Sequence, residues 1–197
     1  RISSSKTATS SLNVEQPLTR RFGVEQSTSS GRPKIRCIDD FLSSLVNGSA
    51  AVYHRIRMDS IAMLIMLLST LLAVVPDLNM FIGKSDFSAA YRGCPVLTSD
   101  LDLASILVRR GDGSLHVSSQ HAMPFGSVAA VYAWDRVGAA IAAVIIELFD
   151  LPVSRYVDDL LWVDFESVAA ETRSMVLELV ALLGFTLAVD KTPPPAR

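Results

Sequence analysis

The chain has 197 residues, of which 50% are hydrophobic and 19% are charged, so it can bury one substantial core or a main domain with a small addition. Its two cysteines, Cys37 and Cys94, exclude a disulfide framework and have no spacing typical of a zinc site. The formal net charge of −2 divides into nine Lys/Arg against five Asp/Glu in residues 1–60 and nine against fifteen in residues 61–197. This asymmetry fits a protein that binds phosphates with one part and a metal ion with the other, although scattered basic residues also arise by chance.

The N-terminal part is predicted to contain a polar lead-in, a strand with two cations and a long helix. Residues 1–19 are polar and patternless, which predicts disorder. Lys34 and Arg36 alternate with apolar residues, which predicts a strand with both cations on one face, able to reach consecutive phosphates of a nucleotide. A solvated edge strand explains the same pattern. Residues 52–75 are predicted to be helical, with Asp59-Ser60 as an alternative start of a second helix. The apolar run at 61–75 is shorter than the roughly twenty residues that span a bilayer, so we expect a buried helix.

An acid ends the next predicted strand and is followed by small residues and an aromatic ring. Residues 80–87 predict a strand that enters a turn, with Asp86 at its end and Tyr91 five positions further on. Small residues between them would let the chain pass close to a ligand. Asp86 also fits the N-cap of a short helix.

The remaining elements predict an α+β fold. They are a hairpin at residues 103–118, a loop at Met123-Pro124-Phe125-Gly126, a helix at about 127–149, a hairpin at 152–164, a helix at 167–183 capped by Gly184, and a strand at 185–189. With the preceding elements, this order predicts helices packed on one face of an antiparallel sheet.

The hairpin at residues 152–164 carries two adjacent acids, Asp158 and Asp159, between apolar strands. Neighbouring carboxylates repel each other and lose hydration beside buried strands, so the pair is stable when a divalent cation lies between the charges or when it faces water. Oxygen ligands on a turn suit Mg²⁺, which takes one or two carboxylates and leaves room for substrate phosphate. Taken alone, the segment fits a solvent-facing turn equally well.

Four features in one order resemble the fingers and palm of a reverse transcriptase. They are Asp86 with Tyr91, the Met123-Pro124-Phe125-Gly126 loop, Tyr156-Val157-Asp158-Asp159, and the tail from Gly184 to Lys191. The Tyr-x-Asp-Asp tetrad between apolar strands is the most specific of them. Retroviral enzymes have Gln where this chain has Phe125, whereas Phe is common among retrotransposons, so the chain resembles the retrotransposon group more closely.

The resemblance implies a role for each matching residue in the template-directed transfer of dNTPs to a primer 3′-hydroxyl. Asp86 and Asp158 would hold two Mg²⁺ (or Mn²⁺) ions, with Asp159 as a third, supporting acid, so these three would be the catalytic and metal-binding residues. The substrate-binding residues would be Lys34 and Arg36 at the triphosphate, Tyr91 under the incoming sugar, Phe125 and Gly126 against the template–nucleotide pair, and Lys191 near the end of the palm. Two metal ions about 4 Å apart activate the hydroxyl and neutralise the leaving pyrophosphate, and carboxylates from separate strands hold them rigidly.

The resemblance covers about residues 20–192 and implies a division of the chain. The expected regions are a disordered lead-in at 1–19, a fingers-like region at 20–75, a palm domain at 76–192 and a Pro-rich linker stub at 193–197. No thumb follows Lys191, so thumb and ribonuclease H regions are expected downstream in a longer polyprotein. The expected partners are a primer–template of RNA or DNA and dNTPs, in an intracellular setting without a membrane.

Two alternatives stay open from the sequence. One is an inactive or truncated remnant that keeps the palm fold as a nucleic-acid-binding or assembly module. The other is a membrane-associated protein anchored through residues 61–75.

Overall fold

Seven strands, four α-helices and two short 3-10 helices (Ala90–Gly93 and Thr98–Asp100) occupy the part of the chain that the structure, a computed structural model, describes: residues 17–27, 31 and 33–188. The strands are β1 (Thr19–Ser27), β2 (Pro33–Asp39), β3 (Met80–Asp86), β4 (Ser105–Arg109), β5 (Leu115–Ser119), β6 (Val153–Tyr156) and β7 (Asp159–Phe165). The helices are α1 (Val46–Ser49), α2 (Ile61–Val74), α3 (Val128–Phe149) and α4 (Ala169–Leu182). The fold is therefore of the α+β class, as predicted.

The first of two compact units, residues 1–49 with 96–121, carries a four-stranded sheet in the order β2-β1-β4-β5. The predicted hairpin near residues 103–118 is confirmed as β4 and β5. β1 pairs with β2 in antiparallel fashion but with β4 in parallel, at Thr19 opposite Ile106. The prediction of one antiparallel sheet is therefore wrong for the whole chain, because a parallel pairing between distant segments leaves no mark in local alternation.

The second compact unit, residues 50–95 with 122–197, contains the antiparallel sheet β3-β7-β6. The predicted long helix, central hairpin and closing helix are confirmed as α3, β6–β7 and α4. One hydrophobic core joins the sheet to both helices. Its largest members include Trp134, Ile141 and Ile145 of α3, Leu160 and Trp162 of β7, and Val176 and Val180 of α4.

The two compact units are defined by the contacts between residues of the chain. The division into a fingers-like region and a palm rests instead on the resemblance, so its boundaries stay predictions.

Residues 52–60 do not form the predicted helix, whereas the alternative start at Asp59-Ser60 is confirmed, since α2 begins at Ile61 with Ser60 as its N-cap. Instead of entering a helix, Asp59 pairs with Arg155 on the edge strand β6. The Asp59 N–H donates to the Arg155 carbonyl (3.1 Å), and the Arg155 N–H donates to Asp59 Oδ2 (2.9 Å). These bonds satisfy backbone groups that a helix would otherwise satisfy.

The prediction that α2 is buried is also wrong. Leu64 is its one buried residue, while apolar side chains such as Ile61 and Val74 are exposed. α2 is apolar on every side, and a helix on a sheet can cover only one of its sides.

The chain after α4 is mostly irregular in its described part. Gly184 follows the helix at φ 84°, which confirms the predicted glycine cap, because this left-handed conformation suits a residue without Cβ. The strand predicted at 185–189 is reduced in the described residues to one bridge between Phe87 and Leu187.

Two further expectations are corrected by the local backbone. The short 3-10 helix Ala90–Gly93 begins after Ala89 and has no side-chain cap, so Asp86 is not its N-cap. β1 begins at Thr19, which is buried, so order starts inside the predicted lead-in; residues 1–16 lie outside the described part.

Within the described residues, α3 is the one helix with the length and apolar composition of a membrane span. A core helix of the same length passes that test too, and Trp134, Ile141 and Ile145 on α3 are buried in the core. α2, with 14 residues, is shorter than the roughly twenty that cross a bilayer.

Candidate active site

Pairing between β3 and β7 brings together acids that are about seventy residues apart in the sequence. Asp86, the last residue of β3, stands directly opposite Asp159, the first residue of β7. The next residue, Phe87, donates its N–H to the carbonyl of Asp158 (3.0 Å). Directly opposed residues of an antiparallel pair have Cα atoms about 4.5–5.5 Å apart and side chains on the same face of the sheet. Asp86 and Asp159 therefore share one face at one end of the sheet.

The turn of the β6–β7 hairpin presents Asp158. Tyr156 pairs with Asp159, so the turn consists of Val157 and Asp158 alone, whereas the sequence predicted both acids in the turn. Val157 has φ 54°, a left-handed conformation that is a genuine outlier for a β-branched residue. Such backbone costs about 1–3 kcal/mol and persists only where its surroundings enforce it. The indole N–H of Trp134 donates to the Val157 carbonyl (2.9 Å) and is one such constraint.

The acids differ in exposure, and Asp159 is paired with a lysine. Asp86 is buried, with 8% of its surface exposed. Asp159 forms an ion pair with Lys84 (Nζ to Oδ1, 3.1 Å), and the two side chains are 30% and 45% exposed. The sequence analysis missed Lys84, although it lies two residues before Asp86 and therefore on the same strand face.

Two aromatic residues, Tyr91 and Phe125, lie in the same compact unit as the acids. Tyr91 lies in the short 3-10 helix after β3, and its ring meets that of Phe125 edge-on, with centroids 5.1 Å apart. Burial, and after it the charge of Asp158, raises the pKa of Tyr91 above its usual value. Next to Phe125, Gly126 has φ 94°, which favours glycine. The structure thus brings Tyr91, Phe125 and Gly126 into the same unit as the acids, with Tyr91 within electrostatic reach of Asp158.

A buried ion pair that was not predicted from the sequence joins α3 to strand β6 of the hairpin. Arg155, which is 6% exposed, donates from Nη2 to Asp135 Oδ1 on α3 (2.5 Å). His54 lies in a loop, its Nε2 is 3.5 Å from Asp135 Oδ2, and its ring packs edge-on against Tyr132. No local pattern marks these residues, since the contacts join segments that are distant in sequence.

Lys34 and Arg36 lie on β2 in the first compact unit, and both are exposed. They share one strand face, as predicted, opposite Gln26 and Val24 of β1. β2 is an edge strand of its sheet, which is compatible with both a phosphate-binding role and a solvated edge. Lys191, the remaining predicted substrate contact, lies outside the described residues.

The acids match magnesium in the chemistry of their donor atoms. Over the described ranges, no three or more His, Cys, Asp and Glu side chains gather as a self-sufficient metal site. Mg²⁺ does not require such a cluster, since it is usually held by one or two carboxylates together with water and substrate phosphates. Oxygen donors from Asp86, Asp158 and Asp159 suit a hard cation, and no His or Cys is among them.

A scan against protein-family models gives no match for this chain, and a search of curated proteins gives no match either.

Proposed function

We propose that this chain is a reverse-transcriptase domain of the retrotransposon type, which transfers dNTPs to a primer 3′-hydroxyl under the direction of a template. One observation carries the proposal. The register of β3 and β7 sets Asp86 opposite Asp159, and the Phe87 amide donates to the Asp158 carbonyl, so the backbone positions of three acids from two distant segments lie at one end of the sheet. Nucleotidyl transfer needs such a rigid pair of acid-bearing strands.

In this function, Asp86 and Asp158 would hold Mg²⁺ and Asp159 would support them. When bound, Mg²⁺ would stabilise the negative charge that develops on the phosphates and on the leaving pyrophosphate. The burial of Asp86 would strengthen the interactions of its charge.

The aromatic pair beside the acids would position the nucleotide. Tyr91, whose pKa is raised in part by the charge of Asp158, is in edge-on contact with Phe125, and rings offer flat apolar surfaces to a sugar or a base. Tyr91 would lie under the incoming sugar, and Phe125 with Gly126 would lie against the template–nucleotide pair. Lys34 and Arg36 would bind the triphosphate, since both are exposed cations two residues apart on one strand.

Primer extension tests the proposal. The 197-residue chain is incubated with an RNA template, an annealed DNA primer, dNTPs and Mg²⁺, and the Asp158→Asn variant is compared with wild type. A metal ion supplies several kcal/mol of stabilisation and about 1.4 kcal/mol is tenfold in rate, so we expect incorporation to fall by about a hundredfold or more. Asp77→Asn is the matched control, because Asp77 is exposed in the turn before β3, at the end of that strand opposite to Asp86.

Two outcomes would contradict the proposal. Equal extension by Asp158→Asn and wild type would refute the role of Asp158. Nucleic-acid binding by the wild-type chain without metal-dependent incorporation would refute the enzyme and favour the binding or assembly module.

A further inference from the structure

Trp134 touches the immediate neighbours of two of the acids. Its ring packs edge-on against Phe87, the residue after Asp86, with centroids 4.8 Å apart. Its indole N–H donates to the carbonyl of Val157, the residue before Asp158 (2.9 Å). Trp134 is 1% exposed and is held by a further ring contact to Phe185 (5.8 Å). One rigid side chain therefore spans the two segments that carry the acids.

A second donor reaches the same carbonyl. Arg155 Nη1 donates to the Val157 carbonyl (3.4 Å), so this oxygen accepts from two side chains. The guanidinium is fixed by Asp135 and by the carbonyl of Arg57, which Nη2 reaches at 3.3 Å. Gly138 on α3 makes room for it, since a Cβ at that position would lie 3.1 Å from Arg155 Cδ.

The orientation of the Val157 carbonyl determines how Asp158 is presented. This carbonyl belongs to the planar peptide unit that joins Val157 to Asp158. Fixing the oxygen therefore fixes the orientation of the peptide plane that precedes Asp158. Val157 is β-branched and lies at φ 54°, a conformation that it would leave if its surroundings allowed. Hydrogen bonds from outside the turn therefore hold the turn in this conformation.

We propose that Trp134, supported by Arg155, is a positioning residue that fixes Asp158 relative to Asp86. The consequence for catalysis rests on the proposed function. The restraint that Trp134 and Arg155 place on the turn, here called the clamp, does not. Trp134 itself makes no contact with substrate in this role. It acts through Phe87 on one side and Val157 on the other.

Amide hydrogen exchange tests the clamp without any need for activity. Trp134→Phe keeps an aromatic ring in the core and removes the N–H donor. The amide of Phe87, which is bonded to Asp158, should then exchange about fivefold to tenfold faster relative to the amides of Val176 and Val180 in α4, as expected for the loss of one hydrogen bond.

Ile145→Val is the matched control. Ile145 is also buried in the core on α3, but it lies about three helical turns from Trp134. The control should leave the exchange ratio of Phe87 to α4 unchanged. Equal protection of Phe87 in Trp134→Phe and wild type, or the same selective loss in the control, would overturn the proposal.

Arg155→Lys provides a second variant should Trp134→Phe fail to fold. Lysine keeps a positive charge beside Asp135 but cannot supply both guanidinium donors. It should also accelerate exchange at Phe87, by a smaller factor than Trp134→Phe. Unchanged exchange in this variant would show that Arg155 does not hold the turn.

Kinetics then connect the clamp to the reaction. Trp134→Phe should lower kcat for dNTP incorporation by about tenfold to a hundredfold, the range for residues that orient groups at a metal site, with KM for dNTP little changed. A rise in KM with unchanged kcat would contradict positioning of the acids. If wild type incorporates no dNTP, the proposed function fails, and the exchange experiment still decides whether Trp134 holds the turn.

Discussion

Gly83 offers a sharp test of how the register between β3 and β7 is maintained. It stands directly opposite Trp162, and the indole lies across it. A Cβ on residue 83 would lie 2.0 Å from Trp162 Cε2 and 2.3 Å from Cζ2, far inside any real contact. Gly83→Ala must therefore displace a rigid ring that is almost completely buried. Because Gly83 lies three residues before Asp86, the same change would disturb the strand that carries this acid.

The size of the effect follows from three contributions. Overpacking a core costs about 1–3 kcal/mol, and complete removal of a Trp from its site costs about 3–5 kcal/mol. Replacing glycine in a strand by alanine recovers about 0.5–1 kcal/mol. We expect Gly83→Ala to lower the free energy of unfolding by about 2–4 kcal/mol, which is a large part of the roughly 5–15 kcal/mol of a typical domain.

Urea denaturation followed by tryptophan fluorescence measures this free energy. Gly111→Ala is the control, because a Cβ at residue 111 has no atom within 4 Å, and its effect should stay within about 0.5 kcal/mol. In a Trp162→Ala background, Gly83→Ala should cost little, since the obstructing ring is gone. A Gly83→Ala protein as stable as wild type, or an equal cost in both backgrounds, would refute the account of the register.

Two further predictions concern the electrostatics around the acids. In metal-free buffer, Asp158→Asn should lower the pKa of Tyr91, because the carboxylate disfavours the phenolate, but burial, the larger cause, should keep it above that of an exposed tyrosine. Since the folded-state pKa of Tyr91 is raised, its contribution to stability is complete below the pKa of the unfolded state and is lost as pH rises through the pKa of the folded state. Ultraviolet titration follows the ionisation of the phenol. An unchanged titration curve in Asp158→Asn would contradict the proximity of Asp158 to Tyr91. Lys84→Met should raise Mn²⁺ affinity about twofold to fivefold by removing a cation beside Asp159, while stability changes by less than about 1 kcal/mol because the pair is partly exposed. Mn²⁺ titration by electron paramagnetic resonance measures the affinity, and a decrease would refute the competition between Lys84 and the metal ion.

Local patterns in the sequence were sufficient to predict most elements of the second compact unit. α3 and α4 have long apolar patterns, and β6–β7 is a pair of apolar runs around a tight turn, so each could be recognised from its own residues. The prediction failed over residues 52–60, where Asp59 bonds to the edge of β6. The conformation of this segment depends on that tertiary contact, which leaves no local pattern in the sequence.

The candidate site likewise contains some features that could be predicted from the sequence and others that depend on tertiary contacts. Asp86, Tyr91, Phe125 and Asp158 were found because their residue types and order resemble a family. Trp134 was not among the predicted site residues, since its hydrogen bond to Val157 depends on how α3 packs against the hairpin. The left-handed backbone of Val157 could not have been predicted either, because valine disfavours it and only the surrounding donors make it stable.

The groups that position the acids are distinct from the acids themselves. The ladder from Met80 to Asp86 and the packing of Trp162 on Gly83 set the register, and Trp134 acts on the turn through a backbone carbonyl. None of these interactions uses a carboxylate of the acid group. A change from acid to amide at Asp158 therefore removes a charge and keeps these interactions, so in the proposed function we expect it to lower activity more than stability. Changes at Gly83 or Trp134 act in the opposite way, since they keep every acid and alter the distance between them.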